Sequence, residues 1–340
     1  MIRFPAFLLA ACVLAACSGN PFTPINPAPA PAPAPPLDEA DQPATPDPTV
    51  AGTIPGTLAQ NLASVSYNAD TDTLVMRLTS LNAGTLDATY QRTPVLDRPG
   101  YHAYTLQDDP LDRHVTAMVA RSTDPSRSVQ AGIASDGGQF NTFFSGGFYE
   151  RNEPVLDPPV AYQLPTTGLV SYAGGYVAQT NVNAPGDQLL AVDDSINASL
   201  RPIQSAQITG TIFLNVDFAE NTVNGSIFNR TFSQYGATLP EGQANELRNI
   251  TLRVADINRT DGTFFGGLVN YESVPDRDIG DYGGIFGGTN ASAVGGVVAL
   301  TEFDGPNNEL GFDAEREIGV FVLSRCGVSG DDPILCADVN

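Results

Sequence analysis

Apolar and polar positions along this chain fall into three patterns: a short apolar run, a proline-rich tract and a long region of alternation. The apolar run covers residues 4–16, contains no charged residue and follows Arg3. It is too short to span a bilayer, which takes about 20 apolar residues. A positive charge, an apolar centre and small residues at the end predict a secretory signal peptide over residues 1–16.

From about residue 53 onward, apolar residues alternate with polar ones between glycine-rich breaks, and no helical periodicity is visible. The clearest segment is 208–218, where even positions are apolar or glycine and odd positions are mainly polar. A period of two predicts β-strands with one buried face. The side chains that we expect to face the core of the second block are Ile212, Leu214, Val216, Ile250 and Val320. We also expect Ile250, Leu252 and Val254 to share one face.

Prolines at positions 154, 158, 159 and 165 divide the alternating region into two blocks. The first block, residues 53–155, contains six predicted strands: 74–78, 85–92, 101–106, 115–121, 129–135 and 140–149. The second block, residues 165–326, contains eight: 169–180, 208–218, 222–232, 246–255, 262–271, 282–287, 293–303 and 316–325. Eight strands match a small closed barrel that is filled by side chains. We therefore predict an all-β protein, with a strand-rich, handle-like domain followed by an eight-stranded antiparallel β-barrel.

Residues 17–52 show no periodic apolar pattern, and prolines alternate with alanines from Pro27 to Pro35. This composition predicts a disordered tether with extended polyproline II character. At ~3.1 Å per residue, some 30 residues could hold the folded part up to about 90 Å from its attachment point.

The chain has 340 residues, of which 38 are acidic and 16 basic, with a net charge of −22 and no lysine. This charge argues against nucleic-acid binding, which needs clusters of basic residues. It also argues against electrostatic docking on anionic lipid, so membrane attachment would need a lipid anchor. The acidic residues either keep a secreted surface soluble or steer a basic partner or cation toward the protein.

The apolar run ends in Leu14-Ala15-Ala16-Cys17, which resembles the processing site of bacterial lipoproteins, whose first mature residue is the lipidated cysteine. The same tetrapeptide ends at Cys12. Cleavage there would leave a signal shorter than the usual minimum of roughly 15 residues. We therefore assign lipidation, by palmitate-type acyl chains, to Cys17. Ser18 replaces the aspartate that marks inner-membrane retention in enterobacterial lipoproteins, which favours the outer membrane.

Cys326 and Cys336 then remain, flanking a tail rich in glycine, aspartate and proline over residues 327–340. In an exported protein two such cysteines predict a disulfide. A two-cysteine metal or redox site is the alternative, and it lacks further ligands nearby.

Few residues suggest catalysis. His102 and His114 lack the spacing of a zinc helix and are interpreted as structural or solvated. There is no nucleophile elbow, no dinucleotide-binding glycine motif and no lysine for a phosphate loop or Schiff base. The acidic clusters Asp70/Asp72, Asp108/Asp109/Asp112, Asp276/Asp278/Asp281 and Asp331/Asp332 fit water-facing turns, a weak calcium site or a glycosidase pair. We predict neither a cofactor nor a metal, and no enzyme.

Residues 285–297 resemble the glycine-rich stretch of transferrin-binding protein B-like lipoproteins, with 264–269 before it and 319–321 after it. The resemblance covers about residues 165–325 and implies a barrel in a lipid-anchored outer-membrane protein, displayed at the surface, that binds a partner. Thr289-Asn290 and Val294 depart from the family pattern, and one handle-and-barrel unit stands in place of two. No transferrin-capturing loop can be matched residue by residue.

Together these features predict a non-enzymatic lipoprotein that binds a protein or solute, basic if charge steering operates, through loops of its β domains. A structural, periplasm-facing envelope lipoprotein is the first alternative. A hydrolase that uses carboxylates is the second.

Overall fold

The computed structural model describes residues 54–79, 85–138, 142–152, 162–234 and 245–337. The predicted signal peptide, the lipidated Cys17 and the tether lie outside these residues, as do three of the four prolines between the blocks.

The first block forms an antiparallel sheet in which seven strands pair in chain order. A short helix, α1 (Gly56–Ala59), precedes it. The strands are β1 (Leu62–Asn68), β2 (Thr73–Thr79), β3 (Thr85–Arg92), β4 (His102–Leu106), β5 (Val115–Arg121), β6 (Val129–Ser135) and β7 (Ser145–Arg151).

The second block forms a closed antiparallel barrel of eight strands, in which the first strand also pairs with the last. The strands are β8 (Leu169–Asn183), β9 (Ser205–Asp217), β10 (Thr222–Gln234), β11 (Ile250–Asn258), β12 (Thr263–Tyr271), β13 (Val274–Gly287), β14 (Ala293–Leu300) and β15 (Glu317–Ser324). The predicted all-β fold, with a strand-rich sheet followed by an eight-stranded barrel, is confirmed.

The alternation in β9 explains its place in the barrel wall. Ile212, Leu214 and Val216 are buried in the barrel core, and Ile250 of β11 joins them, as predicted. The residues between them are less buried, because successive side chains of a strand point to opposite faces.

Two predicted orientations are wrong. Val320 is fully buried, but it packs in the core between the sheet and the barrel wall rather than inside the barrel. Val254 is 60% exposed instead of sharing a face with Leu252. Between the pairs Val223–Ala255 and Gly225–Leu252, β11 contains one residue more than β10. This bulge reverses the alternation, so that Ala255 points inward.

Strand β1 was not predicted, because its apolar residues do not alternate strictly. The pairing of β1 with β2 is irregular between Leu62 and Ser64, and Leu62, Val65 and Tyr67 are the buried positions. The last strand of the sheet also starts later than predicted, at Ser145.

The sheet lies against the outside of the barrel, and the two share a hydrophobic core. Residues of β5 and β6 pack there with Ile285, Val297 and Ile318 of the barrel wall. Glycines allow the close approach: a Cβ at Gly147 would lie 2.6 Å from Val297, and one at Gly295 would lie 2.6 Å from Val129. The glycine-rich stretch therefore serves mainly to bring two sheets together.

One side chain of the sheet enters the pairing between β8 and β15. These strands pair directly from Tyr176 to Thr180 of β8, and the ladder then separates. The hydroxyl of Tyr101 lies in the gap, where it donates to the carbonyl of Gly175 (2.8 Å) and accepts from the amide of Val322 (3.1 Å). A side chain thus replaces a direct strand-to-strand hydrogen bond.

Aromatic side chains and one ion pair fill the barrel interior. Phe286 packs with Tyr172, Phe218 and Phe264 at centroid distances of 5.8, 5.5 and 5.2 Å. Elsewhere in the interior Arg230 forms an ion pair with Glu317, and both side chains are fully buried. The hydroxyl of Tyr176 donates to the same carboxylate (2.7 Å).

The connections give the molecule two unlike ends. At the turn end, short barrel connections (218–221, 259–262 and 288–292) lie near the β5–β6 turn of the sheet (122–128). At the loop end lie the long barrel loops 184–204 and 301–316 and the sheet loops 107–114 and 136–144. Among the residues that the structure describes, there is no helix of sufficient length and apolar character to cross a membrane.

Candidate functional site

The four loops of the loop end form one continuous surface across the sheet and the barrel. The side-chain oxygen of Gln107 accepts a hydrogen bond from the amide of Leu190 (2.9 Å), which joins loops 107–114 and 184–204. Gly137 lies so close to the barrel that a Cβ there would be 2.5 Å from the carbonyl of Ile203. Asn181 donates to the carbonyl of Ala314 (2.9 Å) and thereby ties loop 301–316 to β8.

Local hydrogen bonds order the longest of these loops. Asp193 accepts from the amide of Ser195 (2.8 Å), and Asn197 accepts from the amide of Ser199 (3.0 Å). These are the Asx turns that Asp and Asn favour. The guanidinium of Arg201 donates to the carbonyls of Ile196 (3.1 Å) and Asp194 (3.0 Å). Hydrogen bonds from Ser195 lower the pKa of Asp193, so this carboxylate is charged at neutral pH.

Exposed apolar side chains stand among exposed carboxylates on this surface. Leu111, Leu190 and Leu200 are 46%, 42% and 50% exposed. The exposed carboxylates of the same two loops are Asp108, Asp109, Asp112, Asp187, Asp193 and Asp194. Apolar anchors within a rim of one charge are typical of a surface that binds a protein of the opposite charge.

Beneath the exposed carboxylates, the loop end also buries ionisable groups. Asp136 accepts hydrogen bonds from the amides of Gly138 and Phe144 (both 3.0 Å) and forms an ion pair with Arg113. Burial raises the pKa of Asp136, although Arg113 opposes the shift. His114 is 1% exposed, and neither ring nitrogen has a hydrogen-bond partner among the described residues. Burial lowers the pKa of His114 to about 4.

At the turn end, two carboxylates have several side-chain partners each. Asp72 accepts from the hydroxyl of Tyr104 (2.5 Å), from Nδ1 of His102 (2.9 Å) and from Nε of Arg92 (3.0 Å). Burial pushes the pKa of Asp72 upward, but the hydrogen bonds from Tyr104 and His102 outweigh it and hold the pKa below its ordinary value.

Asp124 has a similar environment, and it joins the sheet to the barrel. It accepts from the hydroxyls of Ser122 (2.6 Å) and Ser126 on the sheet and of Ser292 (2.7 Å) on the barrel. These hydrogen bonds lower its pKa, although burial acts in the opposite direction.

The predicted disulfide between Cys326 and Cys336 is present, with the two Cα atoms 5.3 Å apart. It forms one side of a groove of about 850 Å³ at the turn end, whose opposite side consists of strands β8, β9 and β10. Polar groups at the groove have partners of their own: Asp217 accepts the amide of Ala219 (2.8 Å), and Asp331 accepts that of Gly327 (2.7 Å). The groove therefore has room for a ligand, but these polar groups already have hydrogen-bond partners within the protein.

The two histidines lie at opposite ends of the molecule, His102 at the turn end and His114 at the loop end. Asp276 and Asp278 lie in strand β13 with exposed side chains, rather than in a turn. Within the described ranges, His, Cys, Asp and Glu side chains do not form a group of three or more that could hold a metal ion.

No family model matches the chain, and no curated protein matches it by sequence. Solved structures of transferrin-binding protein B are similar to it. A double mutant of the protein from Haemophilus parasuis Hp5 matches at 12% identity and a TM-score of 0.38, over 77% of this chain and 53% of that one. The isotype 1 protein from serogroup B Neisseria meningitidis matches at 15% identity and a TM-score of 0.30, over 78% and 52%.

A structure described as a surface lipoprotein matches at 15% identity and a TM-score of 0.32, over 77% of this chain and 96% of that one. This chain thus spans about half the length of the transferrin-binding protein B structures that it matches. At such identities and TM-scores the likeness does not support an assignment of function.

Proposed function

We propose that this protein is a non-enzymatic lipoprotein of the bacterial outer membrane that binds a protein partner through its loop end. The observation that supports this proposal is the convergence of four loops, from both the sheet and the barrel, on one surface with exposed leucines among carboxylates. Exposed leucines lower solubility, so the presence of three of them on the loops of one end favours a binding role.

The barrel interior supports an external site. Phe286 and its aromatic neighbours pack at ring distances of 5.2–5.8 Å, and the Arg230–Glu317 pair lies farther along the interior. A barrel filled by side chains presents its loops to a partner instead of enclosing a ligand.

The negative charge of this surface favours a partner with a basic surface. Six exposed carboxylates lie in the same two loops as the leucines, whereas Arg201 is engaged with its own loop. A basic partner would be steered toward this end, and its association rate would fall as salt is added. The leucines would then supply the buried apolar contacts of the complex.

Attachment to the membrane is the second part of the proposal. Cys17, as the first mature residue, would carry the acyl chains, and residues 18–52 would hold the folded part away from the membrane. Cys17→Ala should release the protein from the membrane fraction. Mature protein that begins at another residue would contradict this assignment.

Surface exposure can be tested by treating whole cells with a protease. We expect cleavage of the displayed protein, whereas a structural lipoprotein that faces the periplasm would be protected until the outer membrane is opened. Protection in intact cells would favour the structural alternative.

The binding site can be tested with soluble residues 50–340 as bait. A triple variant, Leu111→Ser/Leu190→Ser/Leu200→Ser, should no longer retain the partner that the wild type captures. The matched control is Val254→Ser/Leu268→Ser, which removes exposed apolar side chains from the barrel wall. Equal loss in both variants would contradict a site at the loop end, and turnover of a glycan or ester by the purified protein would overturn the non-enzymatic assignment.

A further inference from the structure

The loop between β14 and β15, residues 301–316, folds back into the mouth of the barrel. Phe303 and Leu310 belong to the barrel core, and Phe312 packs against it. The ring of Phe312 lies 6.1 Å from those of both Phe232 and Phe303. We call residues 303–312 the plug, since their apolar side chains close the barrel at the loop end.

Two buried carboxyl groups hold the plug through its backbone. Oε1 of Glu315 accepts hydrogen bonds from the amides of Phe303 (2.8 Å) and Asp304 (3.3 Å). Oδ2 of Asp304 accepts the amide of Leu310 (3.1 Å) and, at the limit of hydrogen-bond distance, that of Phe312 (3.5 Å). Asp304 and Glu315 are only 2% and 6% exposed. The plug is therefore fixed at both of its ends by acidic side chains.

The other oxygen of each carboxyl group, Oδ1 of Asp304 and Oε2 of Glu315, is buried without a standard hydrogen bond among the described residues. Neither group has a cationic partner there. The two residues are direct neighbours, because Glu315 accepts the backbone amide of Asp304 itself. Two neighbouring carboxylates buried without a counter-ion cannot both stay ionised, because desolvation and like charge both oppose it.

The surrounding groups do not supply the missing charge. Arg230 of β10 is engaged with Glu317, and Glu302 forms an ion pair with Arg277. The hydroxyl of Tyr271 on β12 accepts the amide of Gly305 (3.0 Å). Arg316 donates to backbone carbonyls, including that of Glu315 (2.7 Å).

We propose that Asp304 and Glu315 bind one proton between them, and that this proton keeps the plug seated in the barrel. In the seated state the proton lies on Glu315, so that the pair carries a single negative charge. When the proton is lost to solvent, the pair carries two negative charges and repels. Breaking the backbone hydrogen bonds of the plug then allows both groups to reach water.

The electrostatics agree with this geometry. Burial, reinforced by the negative charge of Asp304, raises the pKa of Glu315 to about 8. The proton is then held at neutral pH and released in mildly alkaline solution. Such release exposes Phe312 and Leu310 at the same end of the molecule as the leucines of loops 107–114 and 184–204.

Hydrogen exchange of residues 50–340, measured by mass spectrometry between pH 6 and pH 9, tests the proposal without any partner. After correction for intrinsic exchange rates, we expect exchange of the plug amides to rise by up to about tenfold for each unit of pH from pH 6 to the raised pKa of Glu315 and to level off above it, because in the open plug Glu315 loses its proton at its ordinary, lower pKa. Strand β14 serves as the internal reference and should show no such rise. Unchanged protection of the plug at pH 9 would overturn the proposal.

Variants test whether the shared proton causes the pH dependence of exchange in the plug. Glu315→Gln keeps a neutral side chain, so its plug should stay protected across this pH range. Glu309→Gln removes a surface ion pair between the plug and Arg248, and its protection should depend on pH as that of the wild type does. A pH response that persists in Glu315→Gln would contradict the shared proton. The infrared band of a buried carboxylic acid should be present in the wild type at pH 6. In Asp304→Ala this band should disappear at a lower pH than in the wild type, because burial still raises the pKa of Glu315 but the negative charge of Asp304 no longer reinforces the shift. This readout does not depend on Glu315→Gln.

Calcium chloride tests whether a cation, rather than a proton, is bound between Asp304 and Glu315. If calcium increases the protection of the wild-type plug at pH 6, a metal ion is the native occupant and the proposal is overturned. If calcium has no effect at pH 6, the shared proton is supported.

Discussion

The carboxylates of the turn end have more hydrogen-bond donors than the exposed carboxylates of the loop end. At the turn end Asp72 has three side-chain partners and Asp124 has hydroxyl donors from both the sheet and the barrel. At the loop end the buried Asp136 is paired with Arg113, but the exposed aspartates of loops 107–114 and 184–204 face solvent. Two oxygens of the buried pair Asp304 and Glu315 have no hydrogen-bond partner among the described residues.

The difference indicates that the turn end contributes to stability and the loop end to binding. Carboxylates with several donors lower the free energy of the folded state, so the turn end is built for stability. Exposed carboxylates and exposed leucines contribute little to the stability of the folded state, and their concentration at the loop end fits a surface that is used for binding. Each prediction below compares a group at or beneath one end with its counterpart at the other.

The largest difference is expected between two arginine–carboxylate pairs. Glu317→Ala leaves Arg230 buried without its counter-ion and should lower the free energy of unfolding by about 3–5 kcal/mol. Asp70→Ala, which breaks the exposed pair with Arg121 at the turn end, should cost less than about 1 kcal/mol. Urea denaturation of residues 50–340 measures both. If replacing both Arg230 and Glu317 by Met destabilises the protein as much as Glu317→Ala does, the unpaired charge is not the cause.

The disulfide should give the next effect. Replacing Cys326 and Cys336 by Ser opens a loop of ten residues and should lower the free energy of unfolding by about 2.5–3 kcal/mol. Because the tail contacts Thr123 through the carbonyl of Gly330 (2.6 Å), hydrogen exchange should rise at the turn end. An equal rise in loop 184–204 would show that the effect is global.

His114 predicts a pH dependence that arises at the loop end. Its folded pKa of about 4 lies below the ordinary value of 6.5, so the unfolded chain binds a proton that the folded protein does not. Stability should therefore fall as the pH decreases from about 6.5 through 4, by up to about 3 kcal/mol. Urea midpoints measured over this range should lose the slope in His114→Phe and keep it in His102→Phe. The opposite pattern would assign the effect to the turn end.

The smallest effect on stability should come from the exposed carboxylates. Asp108→Asn/Asp109→Asn/Asp194→Asn should change the free energy of unfolding by less than about 0.5 kcal/mol. The same variant should slow association with a basic partner and weaken the salt dependence of the association rate. An acidic partner, or an association rate that does not respond to salt, would contradict charge steering.

Strict alternation made much of the barrel predictable. Residues 208–218 read directly as a strand, and Ile212 and Leu214 point inward because the pleat has a period of two. The same alternation could not tell which side of β15 faces the barrel interior. Val320 is apolar and buried, but its face of the strand is covered by the sheet.

Bulges account for what the pattern missed. Between Phe228 and Thr231 strand β10 holds an extra residue relative to β9, and Asn229 has a φ of 52°. This turns Arg230 into the interior, where a charged residue is not expected from sequence. The partner Glu317 is 87 residues away, so no local pattern could pair them. The convergence of the loops depends likewise on how the sheet docks on the barrel.

The hydroxyl of Tyr101 has a consequence for how this molecule assembles. Because it bonds the carbonyl of Gly175 and the amide of Val322, the seam between β8 and β15 contains two backbone groups that find this partner only once the sheet, which precedes the barrel in the chain, has docked. Completion of the seam thus depends on a contact that is distant along the chain, and such contacts form slowly. The barrel expressed alone should still close through the direct pairs from Tyr176 to Thr180, but this seam should open more readily than in the whole protein. The sheet and the barrel should therefore be kept together when the protein is engineered. Tyr101→Phe is the smallest change that removes the hydrogen bonds of this contact.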